Sequence, residues 1–235
     1  MREITELTGF IIFSRFDSVR LPGKALRKIG GREMLGRVID RTKALAPRKN
    51  IVLATTKLRS DDALEQYAIR NGISVYRGSS GDVVKRAYEC VIEHKFERMV
   101  RICGDRPFFD PKAIQRCIGL QIEGSYELVT NNLHSRPHPG LVTEVISQSA
   151  LGRVNALSRD SDEREHLTAY IYKNTKEFSI CDITEEIVKN YTKLSVDTEL
   201  DLRKAEWLIS QLGDPVTATA EAIISLAFEW DLSQE

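Results

Sequence analysis

The stretch GFIIFSRFDSVRLPGKALRKIGGREML, Gly9 to Leu35, decides the fold. A short apolar run, FIIFS, breaks off into a loop carrying Arg15, Arg20, Lys24, Ser14, Ser18 and the turn pair Pro22-Gly23. An amphipathic stretch from Glu33 to Leu45 follows. Buried strand, basic loop and helix in that order open a βαβ unit. Three cations at the mouth of a buried strand suit a triphosphate: Arg15 and Arg20 can fork onto phosphate oxygens, and Lys24 adds a compact point charge. Pro22-Gly23 makes a rigid turn followed by a permissive one, so the backbone can come close to the ligand. Neither the Walker motif nor the GxGxxG fingerprint is present. Charge spacing alone also fits a solvated basic loop.

Outward from that stretch the alternation repeats. NIVLATT (50–56), ISVYRG (73–78) and RMVRICGD (98–105) read as strands. DDALEQYAIRNG (61–72), DVVKRAYECVIEHK (82–95) and DPKAIQRCIGLQ (110–121) read as helices. Asp61-Asp62 and Asp82 stand at helix starts, Gly72 at a helix end, and Pro111 in a first turn. Such alternation predicts an α/β fold, a Rossmann-like sheet with helices on both faces. Ligands of such sheets bind beyond the carboxyl ends of the strands. Residues 15–24, Thr55-Thr56, Arg77 to Arg86 and Gly104-Asp105 are therefore expected around one crevice.

The second half is less regular. SYELVTNNLHSRPHPGLVTEVIS (125–147) predicts a long functional loop with an antiparallel excursion. DEREHLTAYIYKN (162–174) reads as one helix, FSICDI (178–183) and TKLSV (192–196) as short strands, and DTELDLRKAEWLISQL and PVTATAEAIISLAFEW as closing helices. The whole chain, 1–235, reads as one domain, with an embedded α+β portion at 125–185 that binds the acceptor or serves as a dimer surface.

Composition narrows the function. Lys+Arg and Asp+Glu stand at 34 each, so no global field draws the chain to nucleic acid or an acidic membrane. Four cysteines form no CxxC pair or zinc spacing, and scattered thiols point to a reducing cytoplasm. MREITELTG lacks the apolar core of a signal peptide, and no apolar run approaches the roughly 20 residues of a membrane span. A cytoplasmic protein without membrane insertion is expected.

Two acidic positions stand out. Asp105 follows Gly104 at a strand end in RICGDRPFFDP, and Asp197 ends a strand in SVDTELDL. Asp110, just before Pro111, is better placed to cap the next helix, and Glu199 and Asp201 suit a helix's first turn. Two carboxylates from distant strand ends suit Mg²⁺, which takes one or two of them and completes its shell with water and phosphate. On the irregular segment, Asn131, Asn132, His134, Arg136, His138 and Glu144 cluster, followed by Glu165, His166 and Thr168. Side chains of this kind can line a sugar pocket, Arg136 can meet a carboxylate, and His166 can orient or deprotonate a hydroxyl.

SRFDSVRLPGKALRKIGGREMLGRVIDR, IVLATTKLRSDD, GISVYRGSSGDVVKRAYE, VRICGDRPFFDPKAI, DEREHLTAYIY and LSVDTELDLRKAE occur in one order over residues 9–212. In this the chain resembles the cytidylyltransferases typified by spore coat polysaccharide biosynthesis protein F, relatives of the CMP-Kdo and CMP-sialic acid synthetases. The resemblance implies a nucleotidyltransferase fold of the glycosyltransferase-A type, CTP as donor, Mg²⁺, a sugar or sugar-acid acceptor, and a homodimer. It makes Arg15, Ser18, Arg20 and Lys24 the phosphate loop, places Thr55 near the base pocket and Arg86 on the nucleotide, and makes Asp105 and Asp197 the metal ligands. Arg15, Lys24 and Asp105 then carry catalysis, with Asn131, Arg136, Glu144 and His166 on the acceptor. The chain departs from the family where Asp17 replaces a usual Gly, Cys103 a usual Thr and Val142 a usual Asp. A metal-dependent glycosyltransferase on the same fold and a non-catalytic nucleotide-binding assembly partner are the alternative readings.

Overall fold

A computed structural model describes residues 7–134, 136–183 and 191–234. Residues 135, 184 and 185 of the segment read as acceptor-binding, and the N-terminal residues 1–6, lie outside the described residues.

Four strands form the parallel half of one sheet: β1 (Thr8–Phe13), β4 (Ile51–Thr56), β5 (Ser74–Gly78) and β6 (Arg98–Cys103). Between β1 and β4 lies a two-strand ribbon, β2 (Lys28–Ile29) and β3 (Arg32–Glu33). Gly30 and Gly31 turn this ribbon at φ 56° and 80°, the left-handed pair that a two-residue hairpin requires. Helices α1 (Met34–Lys43), α2 (Asp62–Arg70), α3 (Val83–Glu93) and α4 (Pro111–Gly124) make the crossovers. Strands β7 (Leu128–Thr130), β8 (Glu144–Ser147) and β9 (Ile180–Asp182) complete a seven-stranded sheet in the order β5-β4-β1-β6-β8-β7-β9. The expected antiparallel excursion is β8, which runs against both β6 and β7.

Strand periodicity divides the core. Phe10 and Ile12 of β1 face one side with Leu35, Val38, Leu64 and Ile114, under α1, α2 and α4. Ile11 faces the other with Val84, Leu151 and Ile171, which come from α3, α5 (Gln148–Leu157) and α7 (Ala169–Lys173). Burying each such Ile, Leu or Val contributes about 1.5–3 kcal/mol before chain entropy is charged. A third cluster packs α8 (Glu199–Gln211) and α9 (Ala220–Leu232) against Leu21, Ile29 and Phe108, so the C-terminal helices brace the basic loop.

The capping expectations for Asp82 and Asp110 hold: Asp82 accepts from Lys85 N at 2.7 Å and Asp110 from Lys112 N at 2.8 Å ahead of Pro111. On α8 the cap is Thr198, which forms a capping box with Asp201. Three expectations fail. The 162–174 helix is two, α6 (Ser161–Glu165) and α7, because His166 takes an extended conformation, ψ 92°, between them. TKLSV is no strand: Leu194 N and Ser195 N donate to Pro139 O and Val196 N to Asp105 O, so its backbone bonds are spread over two loops rather than one ladder. The last helix starts at Ala220 and not near Pro215, since buried Arg41 takes the carbonyls of Pro215, Val216 and Ala218. Among the described residues no helix is long and apolar enough to cross a membrane.

Topology fixes where a ligand goes. From β1 the chain moves through β4 to β5, then returns to place β6 on the other side of β1. The strand order reverses between β1 and β6, so a crevice opens beyond their carboxyl ends. Phe13 and Cys103 are partners at those ends, and Gly104 N donates to Phe13 O at 2.8 Å. A Cβ on Gly104 would lie 2.8 Å from Ser14 Cβ, so the two loops leave the sheet in contact only because position 104 is glycine.

Candidate active site

An open cavity of about 520 Å³ lies over this switch point, between the basic loop, the start of α3, the end of β6 and the α6–α7 corner. Arg15, Ser18, Arg20, Lys24, Arg86, Asp105, His166 and Asp197, eight of the residues singled out in the sequence, line it.

Its centre is Lys24. The Nζ donates to Asp105 Oδ2 at 2.7 Å, to Asp197 Oδ1 at 3.1 Å and to Val196 O at 3.2 Å. Lys24 and Asp197 are 173 residues apart in sequence, yet the loop after β1, the loop after β6 and the lead into α8 converge on one atom. Burial opposes the charge on Lys24, but Asp105 and Asp197 together outweigh it and raise its pKa. Burial likewise works against ionised Asp197, and Lys24 with Lys193 prevails and lowers it. Arg20 lies 3.3 Å from Asp197 Oδ1 and Lys193 3.1 Å from Oδ2. Asp201 accepts from Lys193 at 2.6 Å and from the Asp197 and Thr198 backbone amides at 2.9 Å each, which fixes the Asp197 main chain.

Two carboxylate oxygens and a carbonyl oxygen around one cationic atom are hard donors, the set that suits Mg²⁺. Among the described residues no group of three His, Cys, Asp or Glu side chains forms a metal cluster. Asp105 and Asp197 could hold such an ion if ligand oxygens completed its shell.

The basic loop is tied down by a residue read in the sequence only as a helix-start acid. Asp61, 1% exposed, accepts from Phe16 N at 2.7 Å, Thr55 Oγ1 at 2.8 Å, Thr56 N at 3.0 Å and Thr56 Oγ1 at 2.5 Å. Burial raises its pKa, and the bonds from Thr56, Phe16 and Thr55 more than reverse this. Thr55, expected near the base pocket, is 0% exposed with its hydroxyl spent on Asp61, so its side chain does not reach the cavity. Arg77 is also committed elsewhere, to Thr56 O and Leu58 O and to Asp62 and Glu65. Asp17 accepts from Ser60 Oγ at 3.0 Å, so its charge has a partner on the far side of the loop.

Arg86 is 4% exposed and donates through Nη1 to Ser79 O, while its Nε is buried without a partner. Burial, and then the charge of Arg15, lower its pKa. Arg86 also contributes to the cavity lining. Arg15 faces Glu165 of α6 at 3.8 Å, a solvent-exposed pair that adds little.

The acceptor set divides. Arg136 lines a second cleft, about 310 Å³, which shares Asp105, Arg106 and Asp197 with the first. Its guanidinium lies 5.6 Å over the ring of Tyr191. Arg106 donates to Val142 O at 3.3 Å, and among the described residues neither arginine has a carboxylate within ion-pair distance. His166 stays on the first cavity's wall, 3.5 Å from Asp162. Asn131 and Glu144 are in neither cleft. Asn131 is buried, bonding Leu141 O and Thr143 N. Glu144, 2% exposed, accepts from Arg101 at 2.7 Å, Thr168 at 2.8 Å and Tyr172 at 2.7 Å. Burial raises its pKa, but Arg101, Tyr172 and Thr168 override this and keep it ionised. Both are corrected from ligand contacts to internal struts. Asp61, Arg101, Arg106 and Lys193 were missed; for Arg101 the one available signal was a charge inside the strand, between Val100 and Ile102.

The Bacillus subtilis spore coat polysaccharide biosynthesis protein SpsF is 28% identical over 225 residues, spanning 92% of each chain. The 8-amino-3,8-dideoxy-manno-octulosonate cytidylyltransferase of Shewanella loihica is 27% identical over 218 residues, 84% of this chain and 83% of that one. The solved structure of a cytidylyltransferase from Leptospira borgpetersenii superposes with a TM-score of 0.88 at 29% identity, covering 97% and 95%. Residues 9–216 match the family described as cytidylyltransferase. The chain belongs to the cytidylyltransferase family, an enzyme on a nucleotidyltransferase fold.

Proposed function

We propose that the protein transfers the cytidylyl group of CTP to an oxygen of a sugar or sugar-acid acceptor and releases pyrophosphate. The observation that carries this is the convergence of Lys24, Asp105 and Asp197 beneath a loop bearing Arg15 and Arg20. In the reaction a bond forms between the acceptor oxygen and the α-phosphorus. The bond from the α-phosphorus to the α–β bridging oxygen breaks, its electron pair leaves with pyrophosphate, and the hydroxyl proton passes to solvent. Arg15, Arg20 and Lys24 hold the β- and γ-phosphates and stabilise the charge that builds on the leaving group. Ser18 adds a hydroxyl from the loop, and Arg86 adds a positive charge at the cavity lining. Mg²⁺ held by Asp105 and Asp197 supplies charge neutralisation at the phosphates when bound.

The second cleft takes the acceptor: it opens onto the carboxylate pair, and Arg136, held over the Tyr191 ring, and Arg106 present guanidinium groups that meet no carboxylate among the described residues and can take an anion. The octulosonate in the name of the Shewanella loihica relative is such a sugar acid. His166 approaches the reacting centre from the other wall. The reading includes a single domain that acts as a homodimer in the cytoplasm, with the 125–185 segment serving acceptor binding and dimerisation; the mass in solution tests the dimer. The decisive experiment is pyrophosphate release, screened over four nucleotides and a panel of sugar acids and sugar phosphates. Asp105→Ala, verified as folded by circular dichroism, should lose about 10²-fold or more of the CTP-dependent rate. Undiminished release from that variant overturns the proposal.

A further inference from the structure

Lys24 occupies the position between the carboxylates with all three of its donors used: Asp105 Oδ2, Asp197 Oδ1 and Val196 O. Around it the charges balance. Arg20 and Lys193 join Lys24 as cations, and Asp105, Asp197 and Asp201 oppose them. A free divalent cation entering here must displace a saturated ammonium and would add two positive charges to a neutral cluster. A metal–triphosphate complex differs in sign, because a triphosphate carries more negative charge than the ion neutralises. It also brings phosphate oxygens that can take over the three bonds Lys24 gives up.

We infer that Lys24 is the built-in counter-ion of the Asp105–Asp197 pair, and that the pair admits a divalent cation together with the nucleotide and not before it. The inference rests on the nucleotidyltransferase reading and adds an order of assembly to it. Lys193 has a part as a positioning residue: it grips the outer oxygen of Asp197, so the carboxylate keeps its aim when Lys24 leaves. Arg20, two-thirds exposed at its side chain, is free to follow the phosphates.

The test is direct cation binding, read by calorimetry or by the Mn²⁺ resonance signal, on full-length protein without nucleotide. The protein should bind Mn²⁺ about tenfold or more weakly than Lys24→Met, because removing a unit charge in contact with both carboxylates strengthens their hold on the ion. Lys24→Gln serves as a second variant with a polar, uncharged end. The gain should vanish in Lys24→Met combined with Asp105→Asn, which ties it to this site. Equal or tighter binding by the unaltered protein overturns the inference, as does a gain that survives loss of Asp105. Binding of a non-hydrolysable CTP analogue with Mn²⁺ is measured separately. Its absence sinks the nucleotide reading, whereas the Mn²⁺ comparison judges the counter-ion role on its own.

Discussion

Asp61→Asn tests how the nucleotide loop is held. Asp61 Oδ2 takes three donors from Thr55 and Thr56, and Oδ1 takes Phe16 N, 45 residues away in the basic loop. An asparagine keeps one acceptor oxygen. If that oxygen stays with the threonines, the amide nitrogen confronts Phe16 N–H, and two donors face each other in a site 1% exposed. One charge-assisted bond is lost and a buried N–H is stranded, together about 3 kcal/mol. In a chain of this size each kcal/mol shifts the thermal midpoint by about 2–4 °C, so a fall of about 6–12 °C is expected. The loop that carries Arg15, Ser18 and Arg20 loses its anchor, so CTP affinity should fall about tenfold and trypsin should cut faster at Arg15 and Arg20. The loss depends on pH with a defined sign. The folded pKa of Asp61 is lowered, so its stabilisation is full above the unfolded value of about 3.9 and is lost as pH falls through the folded value. The gap between the two proteins should therefore close in acid. Calorimetry at pH 7 and pH 3 measures it; a midpoint within 1 °C at pH 7, with unchanged CTP affinity and proteolysis, refutes the reasoning.

Glu144→Gln removes the charge that pairs with Arg101 in a site 2% exposed, and should cost about 3 kcal/mol as a shifted denaturation midpoint. Since Glu144 also holds Thr168 and Tyr172, the α6–α7 corner with His166 should loosen, visible as faster amide exchange at 166–172. His138 is buried and accepts from Thr192 N at 3.1 Å through Nδ1. Burial lowers its pKa against the pull of the Thr192 carbonyl, and Lys204 adds to the lowering. The unfolded chain therefore binds more protons as pH falls below about 6.5, and stability should decline there. Thermal midpoints from pH 5 to 8 should show that slope, and His138→Gln should flatten it.

Much of this protein is legible locally. The alternation of apolar runs with helical patterns, the caps at Asp82, Asp110 and Thr198, and the glycine at position 72 with φ 69° each follow from a few neighbouring residues. Basic residues after β1 and an acid after β6 became one site because parallel strands bring their carboxyl ends to one rim, and the strand order reverses between those two. The hairpin at Gly30-Gly31 is a local signal in a stretch read only as part of the basic loop.

What the sequence determined by itself was the order of elements, the rim on which chemistry gathers, and the cationic loop with its two distant acids. Tertiary structure alone decided which polar side chains remain for a ligand. Thr55, Asn131 and Glu144 carry the same groups as true ligand contacts, but packing turns each inward onto a partner far along the chain. Hydrogen-bonding capacity is a property of a residue, whereas whether it is already spent depends on neighbours that only the folded chain assembles.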